Sequence, residues 1–460
     1  MTKAFGILFS ALVGVNLHVS VVTADELGDA AKFFTGPVEV VATHDEFQWI
    51  EGPLFSEVGN YLLFSDVKWL DANSHTCGMI WKYDVATNEL SKFIPCSGLI
   101  GPGDDPANLA DLIEAGSNGL AWSLKNSDDD GSGNNVKVEV ADGEELLICQ
   151  HGKKRIVKIN INDVGADGSI DDEKVQIVVD SYNGQPLNSP NDMYIDKDAG
   201  MMYFTDPPFG LQLFSEADPI AGAFATVTQD AIGVYSIDLI NGADDQQEPT
   251  RVLEFSGAPR AESEDGPWST PNGVAVPSPG VYVNPITDFT NPRILITNTN
   301  TDETIEMKSP YRIEGANAGT LPALNDGLSY WKHPKTNEEV IFAACPGGVC
   351  VHKASLDSQF EMLGLVRIDD LVSNTAIGGD YLWITANTRL VRIPLNKAMM
   401  DDDETNESNN DVGGDDQGTE SSGSTSDSTS EDDVSSSNTI QFVPALLMTT
   451  FLVLGSLHCF

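Results

Sequence analysis

The chain has 460 residues, with 70 Asp and Glu against 25 Lys and Arg. A formal charge of −45 argues against nucleic acid as a partner, because phosphate binding needs basic surface. The length exceeds that of an average domain, but all-β barrels and propellers commonly do so as one unit.

In chain order, residues 1–24 read as a secretory signal peptide. Lys3 supplies a short positive region, an apolar stretch follows to about Val22, and Val22-Thr23-Ala24 is a small-residue cleavage site before Asp25-Glu26. A retained anchoring helix is the alternative, and the stretch is short for a span.

Residues 25–397 read as one folded region built on a hidden repeat. A polar-then-apolar unit recurs in it: Glu51-Gly52-Pro53-Leu54, Asn118-Gly119-Leu120-Ala121, Asn191-Asp192-Met193-Tyr194, Asn272-Gly273-Val274-Ala275, Asp326-Gly327-Leu328-Ser329 and Asn374-Thr375-Ala376-Ile377. After each unit comes a run rich in Val, Ile, Tyr, Phe and Thr, at residues 61–66, 145–149, 201–206, 293–298, 340–344 and 381–385. A third run often follows, at 79–83, 155–159, 233–237, 348–351 and 390–393, with Gly, Pro and Asn between runs. No long stretch has clean helical periodicity. The expectation is an all-β chain, a six-bladed β-propeller with four-stranded antiparallel blades. A β-sandwich could hold as many strands, but it would not explain one polar residue recurring at the same place in every unit. Loop insertions are expected at residues 125–136 and between Phe209 and Ile232.

Of the six cysteines, Cys77 with Cys96 and Cys345 with Cys350 are expected to pair in an oxidising compartment, leaving Cys149 over and Cys459 in the tail. Residues 398–439 are Asp, Ser, Thr, Gly and Asn with almost nothing apolar, and read as a disordered acidic stalk. Residues 440–460 are apolar, carry no charge and end the sequence. Small residues, a polar spacer and such a tail match a lipid-anchor signal, with attachment among residues 421–437; a retained C-terminal helix is the alternative. The localisation expected is the secretory pathway, then the outer face of the plasma membrane or the cell wall. Contact with the membrane would be through the anchor alone, by a monomer.

In a propeller the innermost strand of each blade starts near the axis, so the first residue of each unit joins a ring around one point. The ring reads Glu51, Asn118, Asn191, Asn272, Asp326 and Asn374, with no Lys or Arg. Such acceptors crowded on an axis call for a positive occupant. A hard cation takes carboxylate and amide oxygens, and two carboxylates nearly neutralise a divalent ion. Asn-Gly and Asp-Gly are also ordinary turn dipeptides, and each copy alone reads as a turn; the weight lies in the six together.

These motifs resemble the senescence marker protein (regucalcin) and gluconolactonase family. The matching text is Glu51-Gly52-Pro53 leading to Phe64-Ser65-Asp66, Asn118-Gly119-Leu120, and Cys149-Gln150-His151-Gly152. The central block is Asn188-Ser189-Pro190-Asn191-Asp192 running on to Phe204-Thr205-Asp206-Pro207-Pro208-Phe209-Gly210. Thr270-Pro271-Asn272-Gly273, Asp326-Gly327 and Ser373-Asn374 through Gly378-Gly379 complete it. The resemblance implies one divalent metal ion, Ca2+ before Zn2+, Mn2+ or Mg2+, held by Glu51, Asn272 and Asp326, with Asn191 as a further ligand or substrate contact. It implies hydrolysis of a small-molecule lactone or ester. Asp326 is the candidate base as well as a ligand, and Asn118, Ser189, Asn191 and Asn374 are candidate substrate contacts. Ser189 stands where some regucalcins carry Arg, which weakens the case for an acidic sugar lactone held in that way. His151 reads as a loop or supporting histidine. The absence of a Gly-x-Ser-x-Gly elbow argues against a serine esterase. The rival readings are a phosphotriesterase-like hydrolase on the same ring, and a non-catalytic surface propeller that binds a sugar or protein. A strictosidine-synthase-like condensing enzyme shares the fold, but fits the central block less well.

Overall fold

The computed structural model describes residues 27–398, apart from residues 73, 104–111, 128–136, 213–228, 230–231, 241–247, 256–269, 288–291, 309–324 and 358. The proposed signal peptide, the acidic stalk and the apolar tail lie outside the described residues, as does most of both loop insertions. Among the described residues no helix is long and apolar enough to cross a membrane.

Six antiparallel sheets form, each led by one of the repeated units. Their first strands are Ile50–Ser56, Ser117–Trp122, Met193–Asp196, Thr270–Pro271 with Ala275–Ser278, Leu328–Lys332 and Val372–Gly378. Each of these strands touches the first strand of the next sheet, and the sixth touches the first, so the sheets close into a ring. This is the six-bladed propeller expected from the repeat.

Blade six is completed by the other end of the chain. Glu39–Thr43 pairs antiparallel with Arg389–Pro394, Phe34 bridges Leu395, and the Asn396 amide donates to the Phe33 carbonyl at 2.7 Å. The ring is thereby fastened by backbone hydrogen bonds rather than by a covalent closure.

The expected runs match observed strands to within a residue or two, with one difference. In the fourth blade residues 293–298 form the third strand, and the second is Val281–Thr287, which contains Pro285. Proline argues against a central strand because it cannot donate to the ladder. Here its carbonyl is used instead, accepting the Asn272 amide at 3.0 Å.

Cores lie between blades, where the faces of neighbouring sheets meet. One packs Phe47, Phe64, Trp81 and Trp383, which come from blades one and six, and another packs Leu147, Phe204 and Tyr235 from blades two and three. Cys77–Cys96 and Cys345–Cys350 are disulfides, and Cys149 is a buried free thiol.

A candidate site at the mouth of the tunnel

The repeated units sit where the first strands approach one another most closely. The glycine that follows the polar residue is demanded by space. A Cβ on Gly52 would meet the Asn118 carbonyl oxygen at 2.3 Å, one on Gly119 the Asn191 carbonyl oxygen at 2.7 Å, and one on Gly327 the Asn374 amide carbon at 2.0 Å. Only Gly52 among these has a positive φ, of 48°. The Asn-Gly and Asp-Gly pairs are therefore strand starts packed against a neighbouring blade rather than turns.

Inter-blade bonds hold this end together. The Gly119 amide donates to Asn191 O at 2.7 Å and the Gly327 amide to Ser373 O at 2.7 Å. Hydroxyls at the ends of second strands reach to the next blade: Ser65 Oγ donates to Asn118 O at 2.7 Å and Thr287 Oγ1 to Asn325 O at 2.9 Å. In blades one and three an aspartate follows that hydroxyl. Asp66 accepts the Gln48 and Trp49 amides at 3.0 Å each, and Asp206 accepts the Asn188 and Ser189 amides at 2.8 Å each. The Phe-Ser-Asp and Phe-Thr-Asp motifs thus serve to fix the segment that leads into the ring.

All six ring residues are buried at this end, with 2–7% of their surface exposed. Burial pushes Glu51 up to about 8, helped by the negative charge of Asp192 and opposed by donors from Trp49 and Gly52. The Trp49 indole Nε1 donates to Glu51 Oε1 at 3.2 Å. Asp326 lies well above the usual carboxylate range, through burial first and then the charges of Glu51, Glu114 and Asp192; the Asn272 amide works the other way. Asn272 Nδ2 donates to Thr287 Oγ1 at 3.0 Å.

Asp192 and Glu114 are two participants that sequence reasoning did not single out. Asn374 Nδ2 donates to Asp192 Oδ2 at 3.1 Å, a bond that joins blade six to blade three across the axis. Burial raises Asp192 to about 6. The available signal was the unit itself, where Asp192 stands in the place that Gly occupies in four other copies. Glu114 pairs with Lys68 Nζ at 2.9 Å, and its charge is felt by Glu51, Asp326 and His151. It lies in a connection between blades, where the repeat has no purchase.

The other expected site residues take different stations. Asn191 Nδ2 faces His151 Nε2 at 3.5 Å, and burial lowers the imidazole to about 4, so it is neutral near pH 7. Ser189 is wholly buried with its hydroxyl engaged on both sides, donating to Pro207 O at 2.6 Å and accepting the Gly210 amide at 2.9 Å. Asn118 Oδ1 is buried with no hydrogen-bond partner.

Among the described residues no group of three or more His, Cys, Asp and Glu side chains has metal-binding geometry, so a cation here would depend on amide oxygens as well. The donor set nevertheless suits a hard cation. Buried carboxylates repel one another, an amide oxygen lacks a donor, and no Lys or Arg belongs to the ring.

No family model matches the chain. A gluconolactonase from Zymomonas mobilis is 28% identical over 375 residues, 79% of this chain and 83% of that protein. The solved structure of a gluconolactonase from Xanthomonas campestris superposes with a TM-score of 0.52 at 19% identity, over 83% of this chain and 94% of that one. A structural-genomics target described as a gluconolactonase superposes at 0.50 and 19% identity, over 83% and 98%. The sequence relative agrees with the family resemblance read from the motifs, and the structures agree with the fold.

Proposed function

We propose that this chain, a gluconolactonase-like six-bladed propeller, hydrolyses a small lactone or ester at the mouth of its tunnel with the help of one divalent metal ion, Ca2+ by its oxygen ligands. The observation that carries the proposal is the set of mutually repelling, buried carboxylates at the axis, with unpartnered amide oxygen beside them. Glu51, Asn272 and Asp326 would hold the ion, with Asn191 beside them. Bound there, such an ion supplies a Lewis acid that polarises the substrate carbonyl.

The chain's own side chains account for the remaining requirements. Asp326 would take a proton from the attacking water. Trp49 orients Glu51 through its indole N–H, and Asp192 orients Asn374. Asn118 and Asn374 offer amides to the substrate's hydroxyls. Water adds to the acyl carbon, the ring C–O bond breaks, and the proton taken by Asp326 passes to the departing ring oxygen, which leaves a hydroxy acid. The two disulfides fit folding in an oxidising compartment, and with it the proposed secretion of the chain.

The test is hydrolysis of a lactone, an aryl ester and a phosphotriester by the full chain, with and without a chelator, alongside Asp326→Asn. Lactone or ester turnover should vanish with the chelator, return with Ca2+ and fall at least about a hundredfold in the variant. Turnover of the phosphotriester alone would move the reading to that substrate class. No turnover of any substrate, with Ca2+ still raising the melting temperature, would leave a binding propeller.

A further inference from the structure

The turn that follows the second strand of blade two and the first residue of the third strand carry three cations in succession, Lys153, Lys154 and Arg155, in a chain of net charge −45. Two of them are engaged by the adjoining loop. Arg155 donates to Gln150 Oε1 at 2.8 Å and to the carbonyls of Pro102 and Ile100 at 2.9 and 3.0 Å. Lys153 Nζ donates to Gly101 O at 2.7 Å. The Lys154 ammonium makes no hydrogen bond or ion pair among the described residues, although the residue is partly buried.

Lys154 also sits in the left-handed region, at φ 54°, with its amide donating to His151 O at 3.1 Å. That conformation is unfavourable for a side chain other than Gly or Asn, and functional positions are where such strain is commonly kept. The turn forms one wall of a groove of about 510 Å3. Asp180, Ser181 and Pro186 of a short hairpin form the facing wall. Two links run from the turn toward the ring. His151, which opens the turn, faces Asn191, and the charge of Lys154 is felt by Asp206, which fixes the segment leading into Asn191.

We infer that this groove is an anion subsite, which takes the carboxylate or phosphate at the far end of a polyhydroxylated lactone whose carbonyl lies at the ring. Lys154 meets the negative group, while Asp180 and Ser181 accept from and donate to neighbouring hydroxyls. A partly desolvated ammonium with no ion pair among the described residues is a stronger partner for an anion than an exposed one. The inference rests on the hydrolase reading for its carbonyl end, but its anion end is testable without turnover.

The test uses the full chain as wild type, Lys154→Gln and Lys154→Arg. Steady-state rates on a neutral aldonolactone and on its carboxylated and phosphorylated counterparts give the preference for charge as a ratio of kcat/KM values. That ratio should favour a charged lactone in the wild type, fall about tenfold in Lys154→Gln and return in Lys154→Arg. The better of the two charged substrates identifies the anion. In parallel, calorimetry with inorganic phosphate and with acetate should show binding that weakens by a similar factor in Lys154→Gln and falls with salt. Equal ratios in all three proteins, together with anion binding indifferent to Lys154, would overturn the subsite. Lys154-dependent anion binding in a protein that turns over no lactone would keep the subsite and overturn the hydrolase.

Discussion

Gly327→Ala probes the closeness of the strands at the tunnel mouth. A Cβ built there lies 2.0 Å from Asn374 Cγ, 2.1 Å from its Oδ1 and 2.3 Å from its Nδ2, so the amide must be driven out of its place. That amide accepts the Thr375 N–H at 2.8 Å and donates to Asp192 at 3.1 Å, and both bonds are buried. Overpacking of this kind costs roughly 1–3 kcal/mol, and displacing a buried bond to a carboxyl group costs about as much again. The expected loss is therefore about 2–6 kcal/mol in urea unfolding of the full chain. Asn374→Ala alone should cost about 1–3 kcal/mol, because it strips Asp192 of its side-chain donor and leaves it the Met193 amide. The informative protein is the double variant. With the amide gone the new methyl group has room, so Gly327→Ala should add little to Asn374→Ala, and the cycle should show a coupling of about 2 kcal/mol or more toward stability. If the two costs simply add to within about 0.5 kcal/mol, the glycine is not there to admit its neighbour, and the steric account of the repeated unit fails.

Further measurements address the site and the scaffold. Ca2+ at about a hundred times its dissociation constant should stabilise the folded chain by about 2.7 kcal/mol, and Asp326→Asn should abolish that shift in thermal unfolding. His352 is buried away from the ring against Phe360 O at 3.3 Å, and burial lowers it to about 4. The unfolded chain therefore takes up its proton first, and the stability that His352 contributes above about pH 6.5 is lost as the pH falls toward 4, by up to about 3 kcal/mol. Unfolding curves of His352→Gln should lose less stability than wild type between pH 7 and 4.5, and parallel losses would reject that burial. Removing the Cys77–Cys96 disulfide, whose ends are 19 residues apart, should cost about 3 kcal/mol, and removing Cys345–Cys350, 5 apart, about 2 kcal/mol. Urea midpoints of the paired serine variants check the order.

The repeat made the architecture legible because a propeller writes the same instruction six times, and a polar residue before an apolar run survives uneven loops. It failed where the instruction was disguised. Val281–Thr287 was passed over because Pro285 breaks a strand pattern, while the structure uses that residue as an acceptor alone. The ring residues could be named from register. What they touch could not, because Asp192 and Asn374 meet only once blade three and blade six are placed on opposite sides of an axis. Glu114 and Lys68 were invisible for a related reason, since they lie in connections with no periodic partner. Ser189 shows the reverse: a residue inside the most specific motif is wholly committed to the fold by its two hydroxyl bonds.

The fastening of blade six has a practical reach. Asn374 lies near the start of its first strand, and that strand runs on to Gly378, which pairs with Tyr381; Tyr381 in turn pairs with Pro394. Leu395 bridges Phe34 just beyond. Among the described residues the fold is thus entered and left near the end of blade six that lies away from Asn374. A fusion partner joined beside Phe34 or Leu395 would therefore sit at the far end of blade six from Asn374, and should leave the ring's access to small solutes unchanged.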